Sequence, residues 1–278
     1  MDLAAYFARI GYSGPKDPTL QTLAGVVTAH TRHLPFENLD PLLGVPVTDL
    51  SPAALTDKLV HHRRGGYCYE QNNLMRYALT DLGFEVDPLA GRVVWMDPAG
   101  LDGPPHPETH ETLAVRIPGD DEGYPGPYLV DVGFGGQTLT SPIRLTAGPV
   151  QETRHEPYRL RRHGHGYVLE ALLRNVWQPL YTFSVEPRPL IDMQVGSWYV
   201  STYPASIFVV GLSAALVTDD ARWNLRGRNL TVHSRDGGTE HVRFDTAAQV
   251  LEALTDRFGI DLSGLGDVES RVAEVLDS

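Results

Sequence analysis

The chain has 278 residues, which at ~150 residues per domain suggests about two domains and leaves three small ones open. Hydrophobic residues make up 42% and charged residues 21%, enough to bury a core and too apolar for a disordered chain. Against 23 Lys and Arg stand 35 Asp and Glu, a formal charge of -12 that argues against nucleic acid as a general partner, since duplex binding needs a cationic face. A local cationic pocket is still compatible with that balance. The longest weakly polar stretch, residues 206–217, is too short for a span of ~20 apolar residues, so no membrane is expected as partner. Asp2 and the lack of an early Lys/Arg cluster argue against a secretory signal, and the expected compartment is the cytoplasm. One cysteine excludes an internal disulfide framework and a cysteine-based zinc site.

The first 85 or so residues read as helices. Asp2 can cap a segment carrying Leu3, Tyr6, Phe7 and Ile10, with Gly11 placed to end it. Leu20, Leu23, Val27 and His30 recur at helical spacing, and Pro35 follows. Ser51-Pro52 is an N-cap followed by proline in the first helical position, ahead of Leu55 and Leu59. A fourth helix is predicted from about residue 67 to 82, with Leu74, Ala78 and Leu82 on one face and Gly83 as its stop. Short apolar runs then alternate with Gly/Pro-rich breaks, at 92–95, 113–117, 128–132, 158–160, 167–169 and 179–183. Strands at this spacing suggest a small barrel or sandwich. Pro187 and Pro189 mark a boundary. Beyond it, residues 208–210, 230–232 and 242–244 read as strands, and helices are predicted near 247–257 and 268–276.

Cys68 is the focal residue. An isolated cysteine is most often a small buried hydrophobe. Here Arg63-Arg64-Gly65-Gly66 precede it and the predicted helix starts at about Tyr67. A thiol in the first helical turn feels the positive end of the dipole, and nearby guanidinium groups would add to that field. The two glycines allow a tight backbone approach, or are simply a turn between helices. A cysteine nucleophile needs a base and a group to orient it. Of eleven histidines, His110 stands at the entry to a predicted strand, and Asp131 lies in a strand between apolar neighbours, where a carboxylate is costly unless paired. His110 could equally be an exposed loop residue and Asp131 a turn cap. The run Gly133-Phe134-Gly135-Gly136-Gln137 offers successive unhindered amides, an anion-binding nest or else a hairpin turn. It is no dinucleotide fingerprint, because Thr138 stands where the third glycine would fall. His110-Glu111 likewise fails as a zinc-protease helix, with Ala114 at the second histidine position. His61-His62 and His163 with His165 read as solvated surface, and no metal site is expected.

These residues together resemble the arylamine N-acetyltransferases. The family pattern around the catalytic cysteine, R-G-G-x-C-x-E, appears as Arg64-Gly65-Gly66-Tyr67-Cys68-Tyr69-Glu70. Pro35-Phe36-Glu37-Asn38-Leu39 and Val130-Asp131-Val132-Gly133-Phe134-Gly135 match further family segments, as do Glu156-Pro157-Tyr158, Trp177-Gln178 and Asn224-Leu225-Arg226-Gly227-Arg228. The similarity spans nearly the whole chain and is strongest to actinobacterial enzymes. It implies an α+β fold on a papain-like or transglutaminase-like cysteine-enzyme core, with an N-terminal helical bundle over residues 1–85, a central β-barrel over 86–194 and a C-terminal α/β lid over 195–278. It also implies acetyl-CoA as acyl donor, with no permanently bound cofactor. The acceptor would be an arylamine, arylhydrazine or N-hydroxyarylamine, in a ping-pong reaction through an acetyl-cysteine. By the same resemblance Cys68, His110 and Asp131 form the triad, and the backbone amides of Cys68 and Thr109 are the oxyanion donors. Gly133, Gly135, Gly136, Gln137 and Trp223 would lie along the CoA path, and Phe36, Tyr69, Phe134 and Phe208 would line the acceptor slot. A homo-oligomer is left open. A papain-like cysteine hydrolase is the nearest alternative, but the signature C-G-[SA]-C-[WY] is absent and His110 follows Cys68 by 42 residues rather than ~130–150. A non-catalytic binding module with a buried thiol is the other.

Overall fold

The computed structural model describes residues 1–119 and 126–277. Local signals set the first helices. The Asp2 carboxylate accepts from Ala5 N at the start of α1 (Leu3–Ile10), and Gly11 closes it in the left-handed region at φ 65°. Thr19 caps α2 (Leu20–His33). A two-residue strand, β1 (Phe36–Glu37), and a short α3 (Leu39–Leu42) follow. Ser51 caps α4 (Pro52–Leu55), which runs on into a π-helical turn at Thr56–His61 and then to α5 (Cys68–Asp81). Tyr6, Ile10, Leu23, Val27, Leu74 and Ala78 share one core.

Eight antiparallel strands come next: β2 (Glu85–Val93), β3 (His110–Arg116), β4 (Tyr128–Val130), β5 (Ile143–Arg144), β6 (Val150–Gln151), β7 (Tyr158–His163), β8 (Gly166–Leu173) and β9 (Val176–Phe183). Their order in the sheet is β5-β4-β3-β2-β9-β8-β7-β6, so the two edges are neighbours in sequence. The Gln151 amide side chain accepts from Arg144 N at 2.7 Å and donates to Arg144 O at 2.9 Å, pairing as a backbone would. Ala147 bridges to Leu160. The sheet is therefore a nearly closed barrel, with Leu89, Leu129, Leu160, Leu169 and Tyr181 in its core.

The remainder comprises α6 (Leu190–Thr202), α7 (Ile207–Val210), β10 (Ser213–Val217), β11 (Ala221–Arg226), β12 (Asn229–Ser234), β13 (Thr239–Arg243), α8 (Ala247–Asp256) and α9 (Val268–Asp277). Its sheet has the order β1-β10-β11-β12-β13, so the N-terminal segment supplies an edge strand to the C-terminal sheet, Phe36 opposite Ala215. The α+β class expected from the sequence is the class observed. The strand expected at 208–210 is instead helix α7. Ser206 accepts from Phe208 N, and the Asn38 amide donates to Phe208 O and Gly211 O, so a distant side chain fixes a turn that the β-branched residues alone would disfavour.

Candidate active site

Cys68 opens α5 and is buried. The approach to it is bound backbone to backbone: Gly66 N donates to Pro35 O and Glu37 N to Gly66 O. A Cβ on Gly65 would lie 2.2 Å from Pro35 O, so only glycine permits that contact. Glu70 accepts from Tyr67 N at 3.2 Å and caps the helix start. The guanidinium field expected on the thiol takes another form. Arg64 is buried against Glu37 and Asp40, both at 2.8 Å, and Lys58 binds Asp40 and Glu70. These charges are consumed in pinning the segment ahead of Cys68 to β1 and α3. Burial pushes the Glu70 carboxyl up to about 7, against the pull of Lys58.

His110 begins β3 and Asp131 follows β4, and the β3–β4 pairing brings them together: His110 Nε2–H donates to Asp131 Oδ2 at 2.7 Å. Both are almost wholly buried. Burial alone would lower the His110 pKa, but the Asp131 charge and hydrogen bond outweigh it and raise it, with a further contribution from hydrogen bonding to Cys68. Burial raises the Asp131 carboxyl, but the His110 charge and hydrogen bonds from His110, Asn72 and Gly133 hold it below the usual range. The pair therefore favours imidazolium and carboxylate. With Nε2 committed to Asp131, Nδ1 is the nitrogen left for the thiol. The Cys68 Sγ also lies 3.8 Å from the Thr109 carbonyl oxygen; it is this carbonyl, next to the expected oxyanion amide, that faces the sulfur.

Asn72, one turn beyond Cys68, joins the two halves of the site. Its Nδ2 donates to Glu111 O at 2.6 Å and to Asp131 Oδ1 at 3.1 Å, while its Oδ1 accepts from Val132 N at 3.0 Å. Gly133 N donates to Asp131 Oδ1, and a Cβ on Gly133 would come within 2.6 Å of Cys68 Cα. The helix and the aspartate loop thus touch where any side chain would separate them.

Aromatic rings surround this centre. Phe134 stands edge-on to the His110 ring at 5.2 Å and Tyr181 lies at 4.6 Å. On the other side Phe208 stacks on Tyr67 at 5.4 Å and meets Phe36 at 6.0 Å, and Tyr69 is T-shaped to Tyr67. Gly135 packs on the Phe36 ring. The Tyr67 hydroxyl bonds Ser197 Oγ on α6 at 2.7 Å, and a Cβ on Gly196 would overlap the Tyr69 hydroxyl at 2.2 Å.

The glycine run is held from β11 by Arg222, which is fully buried; it donates to Thr138 O at 3.0 Å and Gly136 O at 3.4 Å and grips both Glu156 oxygens. Asn224 abuts Gly136. Trp223 is not brought to this run: it lies on the opposite face of β11, edge-on to Phe258 in the C-terminal core. A cavity of about 730 Å3 adjoins the run, lined by Trp95, Gln137, His155, Arg174 and Arg235. Gln137 Oε1 and both ring nitrogens of His155 are buried there without hydrogen-bond partners. No His/Cys/Asp/Glu group among the described residues could hold a metal ion.

Asn72, Tyr67, Tyr181 and Arg222 escape the sequence reading. Only Asn72 carries a signal there, since its spacing puts it on the same helix face as Cys68.

The chain is similar along nearly its whole length to known proteins. A family model described as N-acetyltransferase matches residues 19–266. An arylamine N-acetyltransferase of Mycolicibacterium smegmatis is 64% identical, over 100% of this chain and 99% of its own. The Salmonella typhimurium protein named arylamine N-acetyltransferase / N-hydroxyarylamine O-acetyltransferase is 35% identical over 99% of this chain and 95% of its own. The solved Mycobacterium marinum arylamine N-acetyltransferase in complex with CoA superposes with a TM-score of 0.94 at 56% identity, covering 99% of each chain. The chain belongs to the arylamine N-acetyltransferase family of acyltransferases.

Proposed function

We propose that this chain moves the acetyl group of acetyl-CoA to arylamines, arylhydrazines and N-hydroxyarylamines in a ping-pong reaction through acetyl-Cys68. The observation that carries the reading is the helix-start cysteine next to a buried His110–Asp131 pair, with Asn72 tying helix to carboxylate. In the first half, His110 holds the proton as imidazolium beside the Cys68 thiolate, which attacks the thioester carbonyl carbon. The oxyanion is met by the backbone amides of Cys68, unpaired within the helix as a first-turn amide, and of Thr109. The C–S bond to CoA then breaks, and the proton on His110 goes to the departing CoA sulfur. In the second half the amine nitrogen attacks acetyl-Cys68, His110 takes its proton, and Cys68 leaves as thiolate. Asp131 fixes the His110 tautomer throughout.

A flat acceptor suits the slot between Phe36, Tyr69 and Phe208 on one side and Phe134 on the other. The glycine run and its cavity suit CoA. Arg174 and Arg235 supply positive charge to an otherwise acidic protein, and the unpaired Gln137 and His155 atoms supply polar contacts. Trp223, packed in the C-terminal core, is left out of this path.

Intact-mass measurement after mixing with acetyl-CoA, without amine, tests the reading. One added acetyl group, absent from Cys68→Ala and removed by an arylamine with stoichiometric acetylamide release, is the expected result. A Cys68→Ala protein that acetylates an arylamine at the parent rate overturns it.

A further inference from the structure

We propose that this protein forms a two-fold dimer in which the outer face of α6, extended by α7, packs against the same face of a second copy. The helix has two apolar faces. Met193, Ser197, Val200 and Ser201 are buried inward, against the elements around Tyr67 and Tyr69. Ile191, Val195, Trp198, Tyr199 and Tyr203 fall along the opposite side at helical spacing, and all lie in water. The short α7 packs on α6 and adds Ile207 and Val210. These seven residues are between 38% and 67% exposed, and they make up more than half of the large exposed hydrophobics among the described residues. A surface helix of a monomer carries one apolar stripe; apolar residues on both faces mark a helix that is covered on both.

Area and charge choose the occupant. At those exposures the seven residues offer on the order of 800 Å2, matching the ~800 Å2 that each partner brings to a standard interface and exceeding the ~300–600 Å2 of a typical monomer's largest patch. Trp198, Tyr199 and Tyr203, the last two stacked at 5.0 Å, are of the residue types enriched at interface cores. Residues 193–218 contain no Asp, Glu, Lys, Arg or His, so Asp192, exposed in the first turn of α6, is the one charge that this face itself brings against a chain charge of -12. A bilayer fits less well, because the segment offers no cation for anionic headgroups. A single surface that serves as its own partner gives a closed two-fold contact.

Sedimentation velocity on the full-length protein across a concentration series tests this. A reversible monomer–dimer equilibrium is expected, moved towards monomer at least tenfold by Val195→Glu with Trp198→Glu and left in place by Met96→Glu, a change at an exposed apolar residue elsewhere. Hydrogen exchange on the unaltered protein keeps the test independent of the variants' folding: α6 and α7 should exchange more slowly in the concentrated sample than in the dilute one. A monomer at every concentration, a dimer untouched by the paired substitution in a folded variant, or concentration-independent exchange at α6 overturns the proposal. So does a monomer that co-sediments with phosphatidylcholine vesicles, which would assign the face to lipid.

Discussion

Asp131 has its oxygens divided between two tasks. Oδ2 accepts the His110 Nε2–H hydrogen bond, while Oδ1 accepts from Asn72 and Gly133, so one carboxylate holds the imidazole and closes the helix against the loop. Asp131→Asn keeps the volume and loses this balance, because an amide donates on one side and disfavours the Nε2–H tautomer. Turnover should fall by orders of magnitude; the same change in a serine protease triad costs ~10⁴. Rates of arylamine acetylation and of Cys68 alkylation at neutral pH, read on a variant whose melting is unchanged, check this; unaltered rates would make Asp131 structural. At this scale the sequence is informative where chemistry is rare. A single thiol after paired glycines and a carboxylate in an apolar run both announce themselves. Arg222 does not, because a guanidinium reaching Gly136 and Thr138 from 84 to 86 residues away leaves no local mark.

Helices α1, α2 and α5 are joined by one buried imidazole. The Tyr6 hydroxyl donates to His30 Nδ1 and His30 Nε2–H donates to Gln71 Oε1, each at 2.8 Å, and the Gln71 amide goes on to Pro35 O and Gly66 O beside the loop before Cys68. Burial lowers the His30 pKa to about 3. Unfolded, the same group titrates near 6.5. Between those values the unfolded chain holds the extra proton, so stability is full above about 6.5 and is lost as pH falls towards 3. The loss is on the order of a few kcal/mol. Denaturant midpoints measured over that range should fall less steeply for His30→Gln than for the parent; parallel curves would refute the linkage. Elements with local punctuation, such as Asp2 before α1 or Ser51-Pro52 before α4, are legible in sequence. Helices α6 and α7 are not. The α6 pattern is apolar on both sides and shows no clean period, and α7 is decided by Asn38, 170 residues from Phe208.

At the scale of the molecule, the C-terminal third is more than a cover. The sequence resemblance makes residues 195–278 a lid, whose removal would simply admit water to the acyl-enzyme. The register says otherwise: a cut at 195 divides α6, takes Ser197 from Tyr67, and strips β10 from β1 next to the glycines before Cys68. A protein of residues 1–194 should therefore lose its cooperative melting transition and fail to become acetylated, by intact mass. A monodisperse, cooperatively melting fragment that acquires acetyl would show the two parts to be independent. The spaced apolar runs leave a barrel and a sandwich both open, and the β1–β10 pairing joins residues too far apart for any periodicity to record. That pairing also sets a clock. Synthesis at ~5–20 residues per second delivers Cys68 roughly 8–30 s before Val217, the end of the strand against which its loop is braced. During that interval the ribosome carries a chain whose helix start can be fastened to β1 and α3, while β1 itself still lacks its partner strand β10. Translation order thus separates laying down the loop before Cys68 from bracing it, and an interrupted chain leaves Phe36–Glu37 as an edge with no strand beside it.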